Sequence, residues 1–191
     1  KSLNELGHDV VVFDNFSHSN DLFLKNGKNI TCIKGDILNQ NQLSESIKKS
    51  DIVIHLAAQI DVERSINDPK ETFDINVKGT ENLLLSCVEN KILNFIAISS
   101  AAVYGHVENH SIKENFSTNP ISPYGESKLL MEKKIIQYSN NYNLNSLCLR
   151  LFNVYGKGQT DGYAGVITKF LEKIQRSEPL EIFGDRIGKI H

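Results

Sequence analysis

The chain has 191 residues, 40% hydrophobic and 23% charged, with a formal net charge of −2. That composition is ordinary for a globular protein of one domain and part of another, and the near-balanced charge argues against a general nucleic-acid binder. No apolar run approaches membrane-spanning length and no signal peptide is recognisable; Cys32, Cys87 and Cys148 are widely spaced, lack a C-x-x-C pair, and read as reduced thiols of a cytoplasmic protein.

In chain order, residues 1–7 read as the last turns of a helix stopped by Gly7. A first residue of Lys, not Met, reads as an internal start. Residues 10–13 form a β-branched strand ending in Asp14. In dinucleotide-binding folds such a carboxylate accepts hydrogen bonds from the adenosine ribose; an Asp opening a turn is the alternative. That fold also places a glycine-rich loop about 20 residues before the acidic residue. No G-x-x-G-x-x-G occurs in the chain, and Gly156-Lys157-Gly158 comes too late, so the first strand and phosphate loop are expected to be missing.

Residues 30–33 read as the next strand, leading into Gly35-Asp36-Ile37, and residues 41–49 as an amphipathic helix with Leu43 and Ile47 inward. Residues 51–56 are a continuous apolar strand of the kind parallel sheets bury on both faces. At its end, Leu56, Ala57 and Ala58 leave room for close approach of a cofactor, since open α/β sheets bind ligands at strand C-termini. Residues 59–67 read as a polar loop. Residues 69–89 read as one long helix with Phe73, Val77, Leu84 and Val88 on its apolar stripe.

The segment from Ile98 to Lys128 carries the chemistry. An apolar strand, residues 95–99, runs into serines, and a polar loop follows. Ser122-Pro123 then suits the start of a helix, as cap and first-turn proline. That helix sets Tyr124 and Lys128 on one face, four residues apart. Free tyrosine ionises near pH 10, and a neighbouring ammonium favours the phenolate, so Tyr124 is the candidate general base. Ser100 could donate a hydrogen bond to the same substrate oxygen. An isolated Tyr-x-x-x-Lys pair arises by chance; the serine-ended strand and proline-started helix around it give it weight. Leu130, Ile135 and Ile136 are expected on the helix's apolar side. His106 and His110 lack a third ligand nearby and read as surface residues. Residues 144–151 read as another buried strand, 158–165 as a glycine-rich loop, 166–174 as a helix and 180–183 as a short strand.

These segments together resemble the extended short-chain dehydrogenase/reductases, in their nucleotide-sugar epimerase/dehydratase branch. The likeness rests on V-V-V-F-D-N, K-G-D-I, H-L-A-A-Q, D-I-N-V-K-G-T, S-S-A-A-V-Y-G, S-P-Y-G-E-S-K, L-R-L-F-N-V-Y-G and E-P-L-E-I-F-G-D, in that order. It implies NAD as cofactor, with Asp14 and Asn15 at the adenosine and Asp36 and Ile37 beside the adenine. Leu56, Ala57, Ala58, Asn76, Ser99, Tyr124 and Lys128 complete the implied cofactor set, a buried structural Asn being the other reading of Asn76. It implies Ser100, Tyr124 and Lys128 as the catalytic group, and Ser100, Tyr124 and Asn153 against a UDP-sugar substrate. Ile60 departs from the Lys frequent in the most similar epimerases. Dehydratases of the branch carry acidic residues after the catalytic Ser or Thr. This chain has Ala101 and Ala102, which can neither donate nor accept a proton through their methyls.

The implied fold is α/β: a doubly wound, Rossmann-like parallel sheet lacking its first strand and glycine-rich loop. Residues 1–155 would form the incomplete NAD-binding domain and residues 156–191 the start of a substrate domain. The implied reaction is 4-epimerisation of a UDP-hexose through a transient 4-keto sugar. Another enzyme of the branch, a silent nucleotide-binding fragment and a ligand-free structural module are the alternatives. No metal, membrane or nucleic-acid partner is expected, and a homodimer is expected of the full-length parent.

Overall fold

The apolar runs of the sequence become short strands that pair in parallel. The structure is a computed structural model and describes residues 2–18, 29–108, 111–154 and 166–180. The chain divides into two units, Lys1–Leu151 and Phe152–His191.

In the first unit, α1 (Ser2–Glu5) precedes β1 (Val10–Asp14), which pairs in parallel with β2 (Ile30–Lys34). A second parallel sheet has the order β3-β4-β5, from β3 (Ile52–His55), β4 (Asn94–Ser100) and β5 (Asn145–Leu151). Among the described residues no strand bridges the two sheets. Helix α2 (Gln40–Ile47) is capped by Asn39, whose side chain accepts from the Gln42 N–H at 3.2 Å, and it buries Leu43 and Ile47 as expected. Between β3 and β4 run α3 (Val62–Asn67), α4 (Pro69–Phe73), a π-helical turn at Asp74–Lys78 and α5 (Gly79–Glu89). Between β4 and β5 lie a 3₁₀ turn at Ala101–Tyr104 and α6 (Pro123–Tyr142). Helix α5 packs against α2 and α6, and α6 against β4 and β5. The core between these helices and the sheet centres on Phe95, Leu84, Met131 and Ile135, and Phe13 of β1 packs against it. In the second unit, α7 (Val166–Gln175) lies where a helix was expected. The glycine-rich loop at 158–165, His110, and residues 181–183 of the expected last strand lie outside the described residues.

Four sequence expectations need correction. Residues 62–67 are helical, not loop, because Asp61 caps them by accepting from the Arg64 N–H at 2.9 Å. Residues 69–89 are helical throughout but not regular. A π turn at Asp74–Lys78 interrupts them, and Thr72, Asn76 and Thr80 are buried while Phe73, Val77 and Val88 are only part-buried. On α6 the buried face is Gly125, Ser127, Lys128, Met131, Glu132, Ile135 and Tyr138; Ile136 is 56% exposed. Finally, β3 and β5 are covered on one face only: Ile52, Ile54, Leu147, Leu149 and Leu151 are exposed, because α5 and α6 lie on the same side of their sheet.

The two faces should therefore answer differently to truncation. Phe95→Ala should cost about 3–5 kcal/mol and Leu149→Ala under about 1 kcal/mol, read as shifts of the urea midpoint.

Candidate active site

The site sits at the C-terminal ends of β3 and β4 and the first turns of α6. Strand β4 is extended through Ser100 (φ −144°, ψ 147°), whose Oγ then accepts from the Ala102 N–H at 3.2 Å and opens the 3₁₀ turn. The turn ends at Gly105, where φ is +67° and an added Cβ would stand 1.9 Å from the Asn119 carbonyl oxygen. Only glycine fits there. Helix α6 begins as the sequence predicts: the Ser122 Oγ accepts from the Gly125 N–H at 3.1 Å, with Pro123 in the first turn. Gly125 lets the helix press onto the 3₁₀ turn, since its Cβ would lie 2.7 Å from the Ala102 carbonyl oxygen.

Ser100 and Tyr124 are brought together, near enough for the serine hydroxyl to act on the phenol. Burial raises the Tyr124 phenol above its ordinary value, and the Ser100 hydroxyl pulls it partly back. Lys128 does not do what the four-residue spacing suggested. Its side chain turns inward, is 3% exposed, and donates from Nζ to the Ile98 carbonyl at 3.0 Å. Helical spacing fixes which face a lysine shares, not where its flexible end goes, and here a strand carbonyl takes it. Burial lowers the Lys128 ammonium from 10.5 to about 8, against the opposing pull of the Glu132 carboxylate.

Behind these groups lies a satisfied polar layer. Asn76, fully buried, accepts from the Gln59 N–H at 2.8 Å. Its Nδ2 donates to the Gln59 carbonyl and the Ser127 Oγ, both at 2.9 Å. That leaves no hydrogen of the Asn76 amide directed outward. The Tyr124 N–H donates to the buried Ser65 Oγ at 3.1 Å. His55 Nε2 lies 2.7 Å from the Thr80 Oγ1. The Thr80 hydroxyl donates to the Asn76 carbonyl at 2.7 Å, so it accepts from His55 and the imidazole is the neutral Nε2–H tautomer. Burial first, then the Lys128 charge, lowers His55 from 6.5 to about 3. Ser99, 3% exposed, turns to the core side and donates to the Glu132 Oε1 at 2.5 Å.

The remaining sequence candidates lie at other strand ends. Asp14, part-buried, accepts from the Phe16 N–H at 2.6 Å through Oδ1, and Asn15 accepts from the Ser17 N–H at 3.0 Å. Asp36 likewise accepts from the Leu38 N–H at 2.8 Å. Ile37 packs on Gly79, where an added Cβ would be 2.8 Å from its Cγ2. Leu56 is 69% exposed just past β3, followed by Ala57 and Ala58. Asn153 is exposed and belongs to the second unit. Sequence reasoning missed Ser65, Ser127, Glu132 and Arg150. The one available signal was Arg150, a charge inside the apolar run L-C-L-R-L.

Parallel strands joined through helices, with polar residues at the strand C-termini, define a Rossmann-type protein. The chain belongs to the NAD dependent epimerase/dehydratase family, whose sequence profile matches residues 1–189. It is 39% identical over 189 residues to a putative UDP-glucose 4-epimerase of Methanocaldococcus jannaschii, covering 96% of this chain and 60% of that protein. It superposes with TM-score 0.89 and 31% identity on the UDP-glucose 4-epimerase of Thermotoga maritima with UDP-glucose, over 96% of this chain and 60% of that one. On the Thermus thermophilus UDP-glucose 4-epimerase complex with NAD the TM-score is 0.86 at 30% identity, over 94% and 58%. The chain thus spans about 60% of the length of the curated relative cited.

Two consequences are measurable. The unfolded state takes up the His55 proton near pH 6.5 and the folded state only near 3. Stability is therefore full above 6.5 and falls as the pH drops through that window; denaturant midpoints against pH should show it, and His55→Gln should flatten that limb. Lys128 has the matching sign: its charged form is disfavoured by the fold until the pH rises through about 8 to 10.5. Lys128→Met should therefore raise the thermal midpoint at neutral pH, the ionised side chain costing roughly 3 kcal/mol there.

Proposed function

We propose that this chain is the core of an NAD-dependent nucleotide-sugar 4-epimerase, with a UDP-hexose as substrate. The observation that carries the reading is the placing of the Tyr124 phenol by the Ser100 hydroxyl at the tip of β4, with Lys128 buried one helical turn along α6. Tyr124, as phenolate, takes the proton of the sugar 4-hydroxyl, and Ser100 donates to the same oxygen. The sugar becomes a 4-ketone, turns over, and is reduced on its other face as Tyr124 returns the proton. NAD, when bound, supplies the acceptor and then the donor of the hydride, and is regenerated.

The residues present fit that cofactor in part. Asp14 closes a strand where a ribose carboxylate partner belongs, and a carboxylate there repels a 2′-phosphate and so favours NAD over NADP. Asp36 and Ile37 would flank the adenine, Leu56, Ala57 and Ala58 would admit the ring system, and Lys128 would hold the nicotinamide ribose. Next to Ala58, the buried Gln59 Oε1 is without a partner among the described residues, an acceptor suited to a ligand donor. The pyrophosphate is the exception, since no G-x-x-G-x-x-G occurs in these 191 residues. In this reading the strand that carries that loop would stand between β1 and β3, joining the two observed sheets in the order 3-2-1-4-5-6.

Within the branch, Ala101 and Ala102 favour epimerisation over dehydration, because no acid–base group follows Ser100. Asn153 remains the proposed sugar-nucleotide contact, and residues from 156 onward the start of the substrate domain. Free thiols at Cys32, Cys87 and Cys148 are consistent with a cytoplasmic location. A homodimer of the longer protein completes the proposal.

The test is interconversion of UDP-glucose and UDP-galactose by the full-length protein. Tyr124→Phe should abolish turnover and leave NAD bound; near-wild-type rates in that variant would sink the mechanism. Because the Tyr124 phenol is raised, kcat/KM should climb with pH on its acid side. The 191-residue chain alone, lacking a pyrophosphate loop, should show no rise of its thermal midpoint with NAD.

A further inference from the structure

One charged group of the described structure is buried beside the proposed site and has no part in the chemistry above. Glu132 is 4% exposed and lies one turn beyond Lys128 on α6. Arg150 of β5 grips it with two parallel bonds, Nε to Oε1 at 2.9 Å and Nη2 to Oε2 at 2.7 Å. The Ser99 hydroxyl donates to the same carboxylate at 2.5 Å. Arg150 also donates from Nη1 to the Tyr104 Oη at 2.9 Å and to the Glu114 carbonyl at 3.1 Å, and its guanidinium lies 4.9 Å from the Tyr104 ring centroid.

Those bonds join five pieces of chain. Ser99 is the residue before Ser100. Tyr104 closes the turn that Ser100 opens. Glu114 belongs to the loop leading to α6, Arg150 to the neighbouring strand, and Glu132 to the helix that carries Tyr124 and Lys128. A general base works only when held within hydrogen-bond reach of its proton, and the Ser100–Tyr124 separation is a distance between a strand tip and a helix.

We propose that Glu132, gripped by Arg150, is a positioning residue for the Ser100–Tyr124–Lys128 site: it locks the tip of β4 to α6 through Ser99 and stands as the fixed anion one turn from the Lys128 amine. The proposal rests on the reading of those three residues as the reacting group. The electrostatics agree with the geometry. The titratable groups interacting with Lys128 are His55 of β3, Cys148 of β5 and Glu132 of its own helix. His55 is held neutral, ionising only near 3, and the Cys148 thiol is raised to about 11. With those two uncharged at neutral pH, Glu132 is the ion-paired member of the three, and the Arg150 fork holds its carboxylate in place. A salt bridge serving stability alone would not need to sit here, since apolar replacement of a buried pair is often neutral or stabilising.

The experiment needs no substrate and uses the 191-residue chain. Lysine labelled with ¹³C at Cε and tyrosine at Cζ report the titrations of Lys128 and Tyr124, assigned by Lys128→Met and Tyr124→Phe. Glu132→Gln leaves the Arg150 charge without its carboxylate and is open to misfolding, so the double variant Glu132→Gln/Arg150→Met removes both charges. In that variant we expect a cooperative thermal transition, a Lys128 titration moved to lower pH and a Tyr124 titration moved to higher pH. Ser99→Ala keeps the charge pair and loses only the strand tie; it should move Tyr124 upward and leave Lys128 in place. If both variants fold and neither titration moves, Glu132 is structural only and the proposal is overturned. If the titrations move as stated while the full-length protein fails to interconvert UDP-hexoses, the positioning role stands and the assigned reaction falls.

Discussion

The separation between the tip of β4 and the first turns of α6 is the constraint on which the rest of the structure depends. Ser100 is on one element, Tyr124 and Lys128 on the other, and neither element fixes the gap. It is fixed from both sides. At the N-terminal end of α6, Ser65 receives the Tyr124 N–H, Asn76 holds Ser127, and Gly125 meets the Ala102 carbonyl without a side chain between. Two turns further on, Glu132 ties the helix to Ser99 and Arg150.

This arrangement puts polar groups where a stable fold would prefer apolar ones. Lys128, His55, Asn76, Ser127 and Glu132 are all buried. Each has a partner, which is the condition for a buried polar layer to rigidify the fold. A buried ammonium lowered to about 8 is nonetheless a standing cost, and costs of this kind concentrate at functional sites. The π turn belongs to the same pattern: around it Thr72, Asn76 and Thr80 are buried, while Phe73 and Val77 are only part-buried.

On the other side of the β3-β4-β5 sheet the balance is reversed. Ile52, Ile54, Leu147, Leu149 and Leu151 form an exposed aliphatic face, whereas Phe95 and Ala97 on the opposite side are nearly inaccessible. Parallel sheets bury both faces, so the apolar run of these strands is longer than the part of it that finds cover in the first unit.

Much of this was legible in the sequence because it is local. Strand positions follow from apolar runs, the α6 start from Ser122-Pro123, and the order of strands and helices from short-range pattern. The neighbourhood of Ser100 and Tyr124 is local too, since a serine ending a strand and a tyrosine opening the next helix both lie at the strand C-termini. What the sequence left undecided depended on atoms distant along the chain. The Lys128 amine went to the Ile98 carbonyl, 30 residues back; Asn76 went to Ser127, 51 residues on; Arg150 found Glu132, 18 residues back. Periodicity assigns a residue to a face, but the end point of a long side chain, and with it the protonation of a tyrosine or a lysine, is chosen by the competing partners and the loss of water that only the folded packing creates.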